Sequence, residues 1–134
     1  MVENAVFKFK LDSLGFLHPN VQPRIFYNFT KSPGTDIDGM CTDVNGTLYV
    51  TRNGQGQVVM LNKDAKHMGT IQFQGASGSS MSLRNIELGG HGGQTLFAVG
   101  PCVDDTNHGC AVIATDLTLI APGKAYTALQ GNPV

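Results

Sequence analysis

Two carboxylates, Asp36 and Asp38, stand just ahead of an apolar run in DIDGMCTDVNGTLYVTRNGQGQVV, residues 36–59. A carboxylate fixed at the head of a strand can do two kinds of chemistry. It can give oxygens to a hard divalent cation, or take a proton from an attacking water. It can also do none, accepting backbone N–H bonds in an Asx turn ahead of Gly39. On residue types alone the turn is the stronger reading. Three further side chains are candidates for touching a small molecule: Asn85, in the corresponding place of a later segment, and Arg52 and Asn53 in TRNGQG. A turn cap for Asn85, and a plain hairpin loop for Arg52 and Asn53, are the competing readings. Asp104, Asp105 and His108 form a polar loop in PCVDDTNHGC, best read as solvated. The glycines of NGQGQ precede a strand rather than a helix, so they do not make a phosphate cradle. No Ser or Cys has the surroundings of a nucleophile elbow, and no Cys/His spacing suits zinc.

The elements that must hold these residues follow from self-comparison. VFKFKLD ends at Asp12, VVMLNKD at Asp64 and CAVIATD at Asp116, 52 residues apart each time. DGMCTDVNGTLYVT (38–51) and NIELGGHGGQTLFAV (85–99) form a second repeated unit, an apolar run, a Gly-containing turn and another run. A unit of roughly 50 residues with four short strands is the mark of a β-propeller blade. The predicted fold is therefore all-β, about two and a half four-stranded antiparallel blades, against the alternative of a small sandwich. The pieces fall at 5–30, 38–74 and 85–130, with strands at 5–11, 24–29, 39–43, 47–51, 57–62, 68–73, 85–89, 95–99 and 110–115, and a weak one near 125–129. Up-and-down topology puts Asp38, Asn53, Asn85, Asp104, Asp105 and His108 at one end of the blades. His91 and Asn45 fall at the other.

Composition narrows the function classes. With 41% hydrophobic and 14% charged residues in 134, the chain suits one soluble domain. A net charge of −1 gives no reason to expect nucleic acid or an anionic membrane surface as partner. No run approaches the ~18 apolar residues of a membrane helix. MVENAVFKFK lacks the apolar stretch of a signal peptide, so a cytoplasmic location is the expectation. Of three cysteines, Cys41 reads as a buried small residue, while Cys102 and Cys110 flank one loop and could pair only in an oxidising compartment.

The strings DGMCTDVNGTLYVTRNGQGQVVMLNKDAKHMGTI and NIELGGHGGQTLFAV resemble the gluconolactonase / regucalcin / luciferin-regenerating-enzyme family, whose pattern runs D-G-M, x-D-x-x-G, L-Y-V-T, G-G-x-V and N-x-x-F-G-G. The resemblance covers about residues 5–100 and matches the later half of a six-bladed propeller. It implies a metal-dependent lactonase-type hydrolase, with calcium, or alternatively zinc, as the cation. It also implies that Asp38 is a metal ligand and general base, and moves the balance for Asp38 from turn to site, leaving Asp36 to solvent. The family's other ligands, a Glu early in the propeller and an Asn from a middle blade, have no equivalent here, and Leu88 replaces the aromatic before the Gly pair. The alternative is a propeller segment that binds or scaffolds without catalysis. Open blade edges lead us to expect self-association or a missing propeller half as partner.

Overall fold

The computed structural model describes residues 4–30, 37–73, 82–101, 109–114 and 121–124, with backbone alone for 109–114. Its strands all pair antiparallel, and between Asn4 and Ala114 the helical pieces among the described residues are 3-10 turns at Asn53–Gln55 and His91–Gly93. The chain divides into two units, Met1–Pro33 and Gly34–Val134.

In the first unit Ala5–Lys8 (β1) pairs with Arg24–Asn28 (β2), the register shifting at Val6/Phe7. The second unit holds two sheets. One has four strands in sequence order: Ile37–Thr42 (β3), Leu48–Arg52 (β4), Gln57–Leu61 (β5) and His67–Gln72 (β6). The other has three: Asn85–Gly89 (β7), Thr95–Pro101 (β8) and Gly109–Ala114 (β9). These are the meanders expected of consecutive blades, and most strand bounds agree to within a residue or two. The expected strand at 110–115 is β9. The one near 125–129 lies outside the described residues, as do Asp116 and the side chains of Cys102 and Cys110.

Alternation explains why these segments are strands. In β7, Ile86 and Leu88 are buried while Asn85 and Glu87 are exposed, the period of two that one buried face requires. In β4, Tyr49, Val50, Thr51 and Arg52 are all buried, as suits a central strand covered on both faces. The two sheets share one core of Cys41, Tyr49, Val58, Phe73, Leu83, Ile86, Leu88, Leu96 and Ala98. Each fully buried Leu or Val contributes roughly 1.5–3 kcal/mol. Burial raises the pKa of the Cys41 thiol to about 12, with Glu87 and Asp43 adding to the effect. Cys41 is thus an inert core residue, as read from the sequence.

Three turns share one construction. In each, a side-chain oxygen accepts the N–H groups two and four residues on. Asp12 takes Leu14 and Phe16 (2.9 Å each). Asp43 takes Asn45 (2.9 Å) and Thr47 (2.8 Å), and Asn62 takes Asp64 (3.0 Å) and Lys66 (2.8 Å). The fourth residue is left-handed in all three: Gly15 (φ 88°), Gly46 (φ 81°) and Ala65 (φ 62°). The structural counterpart of Asp12 is therefore Asn62, not Asp64, which corrects the alignment of the repeat at this turn. The cause is chemical, because an Asn amide oxygen accepts these bonds as an Asp carboxylate does.

Ala65 is also the only non-glycine residue with positive φ among the described residues. A Cβ costs roughly 1 kcal/mol in this region, so Ala65→Gly is expected to stabilise the protein by about 0.5–1 kcal/mol, despite glycine's greater freedom when unfolded. Urea denaturation followed by far-UV circular dichroism measures it. A decrease in stability would show that the turn does not hold Ala65 in that conformation.

Candidate functional site

The two sheets come into backbone contact where β3 meets the start of β7. The Gly39 N–H donates to the Arg84 carbonyl (2.8 Å). A Cβ on Gly39 would collide with the Asn85 side-chain oxygen and lie 2.5 Å from its Cα and 2.9 Å from the Arg84 carbonyl. Only glycine lets the two backbones come this near. Between Ile37, opposite Arg52, and Met40, opposite Val50, β3 carries one extra residue. This bulge falls on Asp38-Gly39, and a bulge bends a strand and re-aims its side chains. On the neighbouring strand, the Thr51 hydroxyl donates to the Gly39 carbonyl (3.1 Å), fixing the bulge from β4.

Asp38, expected at the head of an inner strand, is the second residue of β3. Its Oδ2 lies 3.6 Å from an Arg84 guanidinium nitrogen, and the two side chains are 42% and 59% exposed. An ion pair this open adds at most about 1 kcal/mol, so its consequence is orientation rather than stability. Arg84 was not singled out in the sequence. Its one sequence signal is its place beside Asn85, immediately ahead of the strand that matches Asp38's own.

Asn85 is exposed at the start of β7, and its side-chain oxygen accepts the Ile86 N–H (2.9 Å). With Met40, Ile86, Glu87, Phe97 and Val99 it lines a concavity of about 230 Å³. Asn53 opens the 3-10 turn after β4, and its side-chain oxygen accepts from the Ser82 hydroxyl. That bond ties the β4–β5 turn to the segment before β7, so both connections lie at one end of the sheets, as the topology predicted. At the other end Val44 N–H donates to the Pro122 carbonyl (2.9 Å) and Gly123 N–H to the Gly93 carbonyl (2.9 Å). The exposed His91 belongs to that end. Arg52 is placed differently from its loop reading, since β4 runs one residue further and Arg52, 3% exposed, is its last member. Asp36, Asp104, Asp105 and His108 lie outside the described residues.

A calcium shell needs roughly 6–8 oxygens, largely from carboxylates, carbonyls and water. Among the described residues no three His, Cys, Asp or Glu side chains cluster to supply one. The two nearby amide oxygens are already engaged, a guanidinium faces the Asp38 carboxylate, and the Glu87 carboxylate accepts the Leu88 N–H. The described residues therefore do not by themselves fit the metal that the family resemblance implies.

Solved structures similar to this chain include two propeller proteins. A calcium-binding protein, regucalcin, from Agrobacterium tumefaciens str. C58 superposes with a TM-score of 0.67 at 18% identity, over 84% of this chain and 38% of that one. A luciferin-regenerating enzyme does so with a TM-score of 0.67 at 16% identity, over 86% of this chain and 39% of that one. At these identities the likeness shows the fold, a partial β-propeller, and the chain spans well under half the length of either protein. No curated protein matches the chain significantly. The profile of the SMP-30/gluconolactonase/LRE-like region matches residues 2–99, which together with the D-G-M strand and its following hairpins shows that the chain belongs to that family.

Proposed function

We propose that the chain carries the Asp38-bearing part of a lactonase-type hydrolase acting on small cyclic esters, with calcium as the preferred cation and zinc as the alternative. One observation carries the reading: the D-G-M carboxylate sits on a β-bulge at the sheet junction, oriented by Arg84 and fixed from behind by Thr51. In lactone hydrolysis Asp38 would take the proton from the attacking water, the task for which a positioned carboxylate is suited. Arg84 would hold that carboxylate in place and offer positive charge where negative charge develops on the ester oxygen. Asn85, at the edge of the adjoining concavity, would contact the substrate's polar groups, with Asn53 further back. The remaining cation ligands would come from groups other than those described here.

The second reading, a propeller segment that binds or scaffolds without catalysis, is favoured by the lack of a carboxylate–histidine cluster among the described residues. Calorimetric titration with calcium, then zinc, separates the two. Under the lactonase reading the chain binds calcium weakly, with a dissociation constant of about 10⁻³ M or above. Asp38→Ala abolishes that binding and Asp36→Ala does not. Binding indifferent to Asp38 would remove the metal assignment, and no binding in the wild type would favour the scaffold.

A further inference from the structure

The Asp38 carboxylate has two claimants, and one of them belongs to the chain. Gly39, the residue after Asp38, donates its N–H to the Arg84 carbonyl, and the Arg84 N–H donates to the Val99 carbonyl, each at 2.8 Å. Arg84 is therefore pinned through its main chain on both sides, directly across the sheet junction from the Asp38-Gly39 bulge. From there its guanidinium reaches to 3.6 Å from Asp38 Oδ2. That separation is too long for a hydrogen bond, so charge alone holds the two side chains together. Both are well exposed, 59% for Arg84 and 42% for Asp38, and a pair this open is weak enough to be displaced. Glu87, the carboxylate that shares the concavity with Asn85, accepts the Leu88 N–H at 2.9 Å. Among the described residues, Arg84 is the cation paired with Asp38.

A divalent cation on Asp38 would meet that same charge. Ligating carboxylate oxygens lie roughly 2.3–2.6 Å from such an ion, so an ion on Oδ2 would stand no more than about 6 Å from the Arg84 nitrogen. At that range a single and a double positive charge repel by an amount worth about tenfold in affinity, even at the dielectric of water.

We propose that Arg84 and a divalent cation compete for the Asp38 carboxylate, a charge latch that rests on the cation-binding reading of Asp38. The mismatch between the described residues and a calcium shell then has a cause within the chain, a positive charge where the ion's own charge would act. Oxygens contributed from elsewhere would add to affinity in the wild type and in Arg84 variants alike. The latch therefore shows as a difference between them. Because Arg84 holds the junction through its main chain, its side chain can be exchanged without loosening the fold.

The test is calorimetric titration of the whole chain with calcium at low ionic strength. It compares the wild type with Arg84→Met, Arg84→Lys, Asp38→Ala and the double variant Asp38→Ala/Arg84→Met, with far-UV circular dichroism to check each fold. Methionine removes the charge without offering an oxygen, so Arg84→Met should bind calcium about tenfold more tightly than the wild type. Arg84→Lys keeps the charge and should not gain. Added salt should narrow the gap between Arg84→Met and the wild type, because screening weakens repulsion between exposed charges. Excess calcium should also shift the Arg84 side-chain N–H resonance in the wild type, and should leave it in place in Asp38→Ala.

Suppose Asp38→Ala abolishes binding while Arg84→Met leaves affinity unchanged or lower, or Arg84→Lys gains as much as Arg84→Met. The latch is then overturned and the reading of Asp38 stands. If instead the double variant binds as tightly as Arg84→Met, or neither the wild type nor Arg84→Met binds at all, calcium does not sit on Asp38 and both fall.

Discussion

Gly39→Ala is expected to destabilise the protein by about 3 kcal/mol or more, a loss that belongs to the severe class because backbone must move. The added methyl meets the Asn85 Cα at 2.5 Å and the Arg84 carbonyl at 2.9 Å, neither of which can turn aside as a side-chain tip would. Gly69→Ala provides the contrast. Its Cβ would meet only the flexible Met60 terminal methyl, at 2.9 Å, and alanine lowers the entropy of the unfolded chain. Its expected cost is under about 1 kcal/mol. Both are read from urea unfolding by circular dichroism, since the chain has 0 Trp to report by fluorescence. Similar losses for the two glycines would mean that β3 and β7 do not approach this closely. Because Gly39 carries the bulge that sets Asp38, its substitution should also abolish any Asp38-dependent binding.

Asp43→Ala should cost a comparable amount, about 3–5 kcal/mol, through a different mechanism. Asp43 is 2% exposed, and besides closing its turn it accepts the Tyr49 hydroxyl (3.1 Å). Alanine would leave two backbone N–H groups and a buried phenol without their acceptor. Asp43→Asn keeps an acceptor for the turn and should lose less. The same environment makes the fold sensitive to alkali. Burial first, then the Asp43 carboxylate, push the Tyr49 pKa well above its ordinary value of 10.0. With the folded pKa raised, the folded state holds its proton longer than the unfolded chain. The resulting stability is present below pH 10 and is lost as pH rises beyond it. Asp43→Asn removes the negative charge and should flatten that alkaline decline. An unchanged decline would mean that Asp43 does not act on Tyr49.

Much of this architecture was legible because strand period and turn chemistry agree along the chain. Ile86 and Leu88 alternate with polar neighbours, and glycine stands where Gly46 and Gly92 need positive φ. What could not be read depended on contacts between distant segments. The bulge at Asp38-Gly39 lies against Arg84 and Asn85, some 46 residues along the chain, a contact that no local pattern reveals. Arg52 looked like a loop residue by its neighbours, yet β4 carries it into a buried position, where the aliphatic stem of an arginine is compatible with packing. The first strand ended sooner than its VFKFKLD pattern suggested, at Lys8, where Arg24 stands opposite and like charges weaken further pairing. The Asp12–Asp64 spacing was a true repeat read two residues out of step at its turn, because Asn62 performs the turn's chemistry without looking like Asp12.

Asp38 remains the residue on which the functional account stands. A general base, the role proposed for Asp38, contributes roughly 10²–10⁴-fold to rate, so under that proposal its removal should be visible even where the cation shell is incomplete. The deciding measurement is hydrolysis of a sugar lactone, followed by acid release at constant pH with calcium present, for the wild type, Asp38→Ala and Asp36→Ala. The account predicts slow turnover above the uncatalysed rate, lost in Asp38→Ala and kept in Asp36→Ala. Turnover that survives Asp38→Ala, or falls only with Asp36→Ala, would contradict it.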